Sequence, residues 1–173
     1  MLTRNSSTLF TGPVFDIEQF ETEIGTKGWH TFQVIRHPGG VAVLPLHDDG
    51  SVTLISQPRP AISRLLIELP AGRLDPHEEP LACGKRELLE ETGLVAQHYH
   101  PLGIIYSSPG VFDEIIHLYA ATGLAQQTPS PEADEEIEIM RIPLADALQM
   151  ARDGRISDAK TIAALFRASE LQS

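Results

Sequence analysis

The chain has 173 residues, 42% hydrophobic and 21% charged, with a formal net charge of −11 from 24 acids against 13 Lys and Arg. These figures fit one globular core, and the acidic excess argues against a nucleic-acid backbone or an anionic membrane as partner. A single cysteine, Cys83, excludes an intrachain disulfide and fits a reducing, cytoplasmic setting, while the lack of a leader-like or long apolar stretch predicts neither a signal peptide nor a membrane span.

In chain order, residues 1 to 12 are polar and are expected to be loose. Val14 to Phe20 and Trp29 to Arg36 read as strands separated by a turn-prone Glu23 to Gly28. Gly40 to Leu46 and Val52 to Gln57 are strand-like runs around His47-Asp48-Asp49-Gly50, which predicts a hairpin. Arg64 to Leu69 is a short strand stopped by Pro70, and a loop runs from Gly72 to Glu79. A helix is expected from Pro80, which suits a first turn, to Thr92, with Gly93 in the left-handed position beyond it. Strands are predicted over His98 to Tyr106, Ile115 to Thr122 and Ile137 to Ile142, with a polar acidic loop from Gln126 to Glu136. A helix over Pro143 to Arg152 follows, and Ser157 or Asp158 can cap a last one reaching about Ser169. Interspersed strands and helices imply an α/β sandwich around a mixed sheet.

The most informative stretch runs from Gly72 to Leu94. It places Glu87, Glu90 and Glu91 at positions i, i+3 and i+4, one face of the predicted helix. Three like charges there call for a cation, and hard divalent ions such as Mg²⁺ prefer oxygen donors. The stretch fills every fixed position of G-x5-E-x7-R-E-U-x-E-E-x-G-U, U being apolar, through Gly72, Glu78, Arg86, Glu87, Leu88, Glu90, Glu91, Gly93 and Leu94. At average residue usage such a match arises by chance with a probability on the order of 10⁻⁷. A merely solvated acidic helix would not need both glycines and the arginine at these offsets. Cys83 and His77 fall at variable positions and read as a small helix residue and a solvated loop residue.

By this pattern the chain resembles the Nudix hydrolases. The resemblance implies a metal-dependent phosphoanhydride hydrolase with Mg²⁺, or Mn²⁺, held by Glu87 and Glu91, with Glu90 as a further ligand or catalytic carboxylate and the Ala71 carbonyl as another oxygen donor. Gly72, Glu78, Arg86 and Gly93 are then expected to brace the loop and helix. The flanks Gln57-Pro58-Arg59-Pro60, Leu66 to Gly72, Ser107 to Gly110, Asp113 to Tyr119 and Asp158 to Leu165 resemble the ADP-ribose pyrophosphatase branch. That likeness implies substrate contacts from Arg59, Glu68 and Pro109. Arg59 could equally form a surface salt bridge, and Pro109 could simply end a strand. The general base is expected on the acidic loop, at Glu135, with Glu136 and Glu132 behind it. The branch further implies a homodimer in which residues 1–36 form a strand-rich dimerisation segment, 37–173 being the hydrolase domain. Trp29 and Phe32 are candidates for stacking on a base or for ordinary core. The expected substrate is a small nucleoside diphosphate derivative: ADP-ribose, cleaved to AMP and ribose 5-phosphate. A nucleotide sugar such as GDP-mannose is the nearest alternative, and a non-hydrolytic nucleotide sensor is the other.

Overall fold

A computed structural model describes residues 1–128 and 136–169. The chain forms two compact units, one of residues 1–39 with 106–115 and the other of residues 40–105 with 116–173.

The first unit is an antiparallel three-stranded sheet in which β1 (Thr3–Thr11), β2 (Asp16–Glu23) and β3 (Trp29–Arg36) lie in sequence order. β1 corrects the expectation of a loose N-terminus. Its residues are exposed throughout, so no burial writes an alternating pattern into the sequence. The strand is held instead by its ladder to β2 and by polar cross-links. Arg4 pairs with Glu21 at 2.7 Å and its guanidinium lies 4.0 Å from the centre of the Trp29 ring. Residues 106–115 run beside β3, where Ile35 N–H donates to Val111 O and Asp113 N–H to Ile35 O.

The second unit carries the remaining strands. β4 (Gly40–Pro45) pairs in parallel with β9 (Ile115–Gln126) and antiparallel with β7 (Ala71–Arg73); β8 (Leu94–Tyr106) completes a mixed sheet ordered β7-β4-β9-β8. A separate antiparallel sheet is ordered β10 (Glu138–Pro143), β5 (Ser51–Arg59), β6 (Arg64–Glu68). β7 lies inside what the sequence presents as loop. The expected hairpin forms only at its tip: His47 N–H donates to Ser51 O, and one bridge, Leu46 to Val52, follows before β4 and β5 part into different sheets. A turn signal fixes the reversal and not the pairing beyond it.

Alternation along β4 explains the layers. Val41 and Val43 pack with Cys83, Leu88 and Leu94, on the side of α1 (Pro80–Thr92). Ala42, Leu44 and Leu46 point the other way, into a larger cluster with Leu144 and Ala147 of α2 (Leu144–Arg152) and Ala164 and Leu165 of α3 (Ala159–Ala168). Helices therefore cover both faces of the mixed sheet, so the expected α/β sandwich is layered α/β/α. No helix of the described residues is long and apolar enough to cross a membrane.

Candidate active site

Helix α1 begins with Pro80 in its first turn and ends at Gly93, whose φ of 69° and N–H bond to Leu89 O make a left-handed cap. Its buried stripe is Cys83, Gly84, Glu87, Leu88, Glu91 and Thr92. Two acids thus occupy positions that helical periodicity assigns to a core. Gly84 lets the helix approach β4 closely, since a Cβ there would lie 3.0 Å from both Val41 and Val43. Glu87 and Glu91 are only 8% and 3% exposed.

Their surroundings explain how such burial is tolerated. Ala71 N–H donates to Glu91 Oε2 at 2.8 Å. Arg86 Nη1 donates to Glu87 Oε1 at 2.6 Å and to Glu90 Oε2 at 3.1 Å. The same guanidinium meets Glu78 through Nε at 3.1 Å and Nη2 at 2.9 Å, and Nη2 also reaches Arg73 O. Arg86 therefore serves three carboxylates at once. Glu78 in turn accepts from Asp75 N–H and closes the turn in which exposed His77 takes a φ of 65°.

The hydrogen bonds from Arg86 pull the Glu78 carboxyl down to about 2, and Glu78 holds the Arg86 guanidinium above its usual range. Burial pushes the Cys83 thiol up to about 12, which leaves it protonated and unreactive at neutral pH. A carboxylate with a lowered folded pKa stabilises fully above its unfolded value and loses that contribution as pH falls through the folded one. Urea midpoints are accordingly expected to drop as pH falls from 4.5 through about 2, and Glu78→Gln should flatten that dependence.

A second cluster stands on β5, β6 and the start of α3. Arg59 Nε and Nη2 each donate to one oxygen of Glu68 at 2.8 Å, a bidentate pair, and Glu68 is 1% exposed. Lys160 Nζ donates to Glu68 Oε2 as well and to Asp158 Oδ1 at 2.9 Å. Burial alone would raise the Glu68 carboxyl; Arg59 and Lys160 outweigh it and hold the group below its usual range. Asp158 also caps α3 through Thr161 N–H, and Thr161 Oγ1 accepts from Leu69 N–H at 2.9 Å. The helix start thereby fixes the strand end that leads into Ala71 and Gly72. Lys160→Met should cost about 3 kcal/mol, as expected when one partner of a buried ion pair is removed, measured by urea unfolding at pH 7.

Glu87, Glu90, Glu91, Gly72, Ala71, Glu78 and Arg86 are thus brought together, and Arg59 with Glu68 forms a neighbouring group. Glu91 is among the charges that raise the Arg59 guanidinium pKa, after Glu68 itself. Trp29 and Pro109 belong to the first unit. Glu136 is exposed just before β10, while Glu132 and Glu135 lie outside the described residues. Lys160 and Thr161 are the site's additions: they lie in the flank Asp158 to Leu165 that carries the branch resemblance, but singly they look like ordinary positions of a capped helix.

Residues 36–165 match the NUDIX domain. The chain belongs to the NUDIX family. An ADP-ribose pyrophosphatase of Bacillus subtilis (strain 168) is 36% identical over 159 residues, covering 91% of this chain and 86% of that protein. A GDP-mannose pyrophosphatase of Yersinia enterocolitica is 34% identical over 175 residues, covering 84% and 91%. Among solved structures, a crystal structure of an ADP compounds hydrolase superimposes with a TM-score of 0.84 over 98% of this chain and 92% of its own, at 22% identity.

Nudix proteins generally use divalent cations, and the residues present fit one. Glu87, Glu90 and Glu91 offer hard oxygen donors at one partly buried place. A side chain at Gly72 would fill the space beside Glu87, with a Cβ 1.8 Å from Glu87 Oε1. As they stand, no group of three or more His, Cys, Asp or Glu side chains among the described residues converges to hold a metal ion. The carboxylates are turned instead towards Arg86 and the Ala71 amide.

Proposed function

We propose that this protein hydrolyses the diphosphate of ADP-ribose, giving AMP and ribose 5-phosphate, with Mg²⁺ as the cation. The observation that carries this reading is the complete acidic set on α1, with Glu87 and Glu91 buried where a helix of purely structural role would place apolar side chains. The similarity to an ADP-ribose pyrophosphatase over nine-tenths of the chain supports the substrate.

In this reading Glu87, Glu90, Glu91 and the Ala71 carbonyl hold the cation, which would neutralise phosphate oxygens and acidify a water. Arg86 keeps the carboxylates oriented by pairing with Glu87 and Glu90 while anchored on Glu78. Arg59 leaves Glu68 to grip the substrate diphosphate bidentately, and Lys160 remains on Glu68, so that its buried carboxylate stays paired. An acid just ahead of β10 in the chain, Glu135 first and Glu136 next, takes the proton of the attacking water. Glu135→Gln is then expected to lower kcat about 100-fold at saturating Mg²⁺; full turnover would move the role elsewhere. We further place the protein in the cytoplasm as a homodimer built on residues 1–36, for which sedimentation equilibrium should give about twice the 19.0 kDa chain mass.

The likeness to a GDP-mannose pyrophosphatase favours a nucleotide sugar as the second reading. Incubation with ADP-ribose, GDP-mannose and other nucleoside diphosphate derivatives, with phosphatase-coupled phosphate release and with or without Mg²⁺, separates the two. The highest kcat/KM is expected for ADP-ribose. A preference for GDP-mannose would establish the alternative, and binding without turnover of any compound would leave a sensor.

A further inference from the structure

Gln57 stands two residues before Arg59 on β5 and is 6% exposed. Its Nε2 lacks any hydrogen-bond partner, the one buried side-chain nitrogen or oxygen in that condition among the described residues. Native folds rarely leave such a donor unmade, because its desolvation is not compensated. Glu68, which the ladder sets opposite Ile55, two residues from Gln57, already accepts both arms of Arg59 and the ammonium of Lys160.

Pleating puts residues 55, 57 and 59 on one face of β5. The ladder sets Ile55 opposite Glu68, Gln57 opposite Leu66 and Arg59 opposite Arg64. Opposed residues share a face, so the Arg59–Glu68 pair spans the stretch of sheet on which Gln57 stands. Arg64 has no ion-pair partner among the described residues and directly faces Arg59. Arg59 has Glu68 as its anion while it stays on that carboxylate, but once Arg59 leaves Glu68 the two facing guanidinium groups are unfavourable unless an anion joins them. The unmade donor and the facing cations point to one kind of ligand, an anionic oxygen acceptor.

We propose that Gln57 is a substrate contact, its Nε2–H donating to a phosphoanhydride oxygen of the molecule that draws Arg59 away from Glu68. This rests on the function proposed above, and the test separates the two. Gln57→Leu and Gln57→Met replace the carboxamide by apolar groups of similar size. For each full-length variant, the thermal midpoint, the KM and kcat for ADP-ribose, and the calorimetric affinity for inorganic diphosphate in the presence of Mg²⁺ are measured. The expected result is a midpoint equal to or above wild type, since an unmade buried donor is gone. KM should rise and diphosphate affinity fall by about tenfold or more, as befits a hydrogen bond to a charged group, with kcat within a factor of about three. If no nucleoside diphosphate derivative is turned over by wild type but diphosphate affinity still falls in the variants, the contact stands and the proposed activity fails. Unchanged KM and affinity would overturn it. So would a wild type that binds no diphosphate, or a fall in midpoint in both variants with affinity preserved, the behaviour of a residue that only supports the strand.

Discussion

Glu91→Gln is expected to lower kcat for ADP-ribose about 1,000-fold while leaving the fold intact. The magnitude follows from removing one formal charge from the buried acids proposed to hold the cation, a loss of several kcal/mol at the transition state, each decade of rate being about 1.36 kcal/mol. The fold survives because the amide oxygen of glutamine still accepts the Ala71 N–H that Glu91 Oε2 receives at 2.8 Å. Glu91→Ala behaves differently. It strands that N–H and leaves a hole at a residue only 3% exposed, so it should also destabilise by about 1–3 kcal/mol. Comparing the two by turnover at saturating Mg²⁺ and by urea unfolding separates the chemical role from the structural one. If Glu91→Gln keeps more than a tenth of wild-type turnover, the carboxylate charge is not what the reaction uses.

The legibility of this chain in its sequence follows from what each element buries. Helix α1 was readable to its end residues, because Pro80 and Gly93 mark its limits by backbone constraints that operate locally. Trp29–Arg36 was readable for a similar reason, being bounded by Gly28 with its φ of 83° and by the run into Pro38. β1 was not, because a strand exposed at every residue carries no period. The turn at His47 to Gly50 was visible, but the assignment of β4 and β5 to separate sheets depends on partners that come later in the chain: β9 for one and β10 for the other.

The same distinction divides the site. Its acids lie within one helix, so spacing alone places them together. The Glu68 cluster joins residues 92 positions apart, and Lys160 in a helical first turn has nothing to mark it from a solvated lysine. Gln57 is harder still, since its significance is a bond not made. Residues whose role is a geometry shared between distant segments leave no trace in local pattern, whereas those that break a local rule do. Three acids at i, i+3 and i+4 on one face of α1 break such a rule.

Gly72→Ala is expected to reduce turnover about 100-fold, the scale of disturbing the setting of a metal ligand, the role proposed for Glu87, with a far smaller effect on folding. Gly72 is not one of the positive-φ glycines, so backbone freedom does not account for it. What requires glycine is the room it leaves. A Cβ there would stand 1.8 Å from Glu87 Oε1 and 2.0 Å from Glu87 Cδ, closer than any real contact. Those atoms are the far end of a flexible side chain, so the helix need not move; the carboxylate turns away instead. Turning costs the 2.6 Å bond to Arg86, and a guanidinium still held by Glu78 and Glu90 keeps the loop in place. The urea midpoint should therefore fall only slightly, while calorimetric affinity for Mg²⁺ and kcat fall together. The companion variant Glu87→Ala/Gly72→Ala decides the cause. With no carboxylate to displace, adding the methyl at residue 72 should do no further harm beyond Glu87→Ala alone. If the two losses instead multiply, Gly72 acts on the reaction through something other than the space it leaves for Glu87.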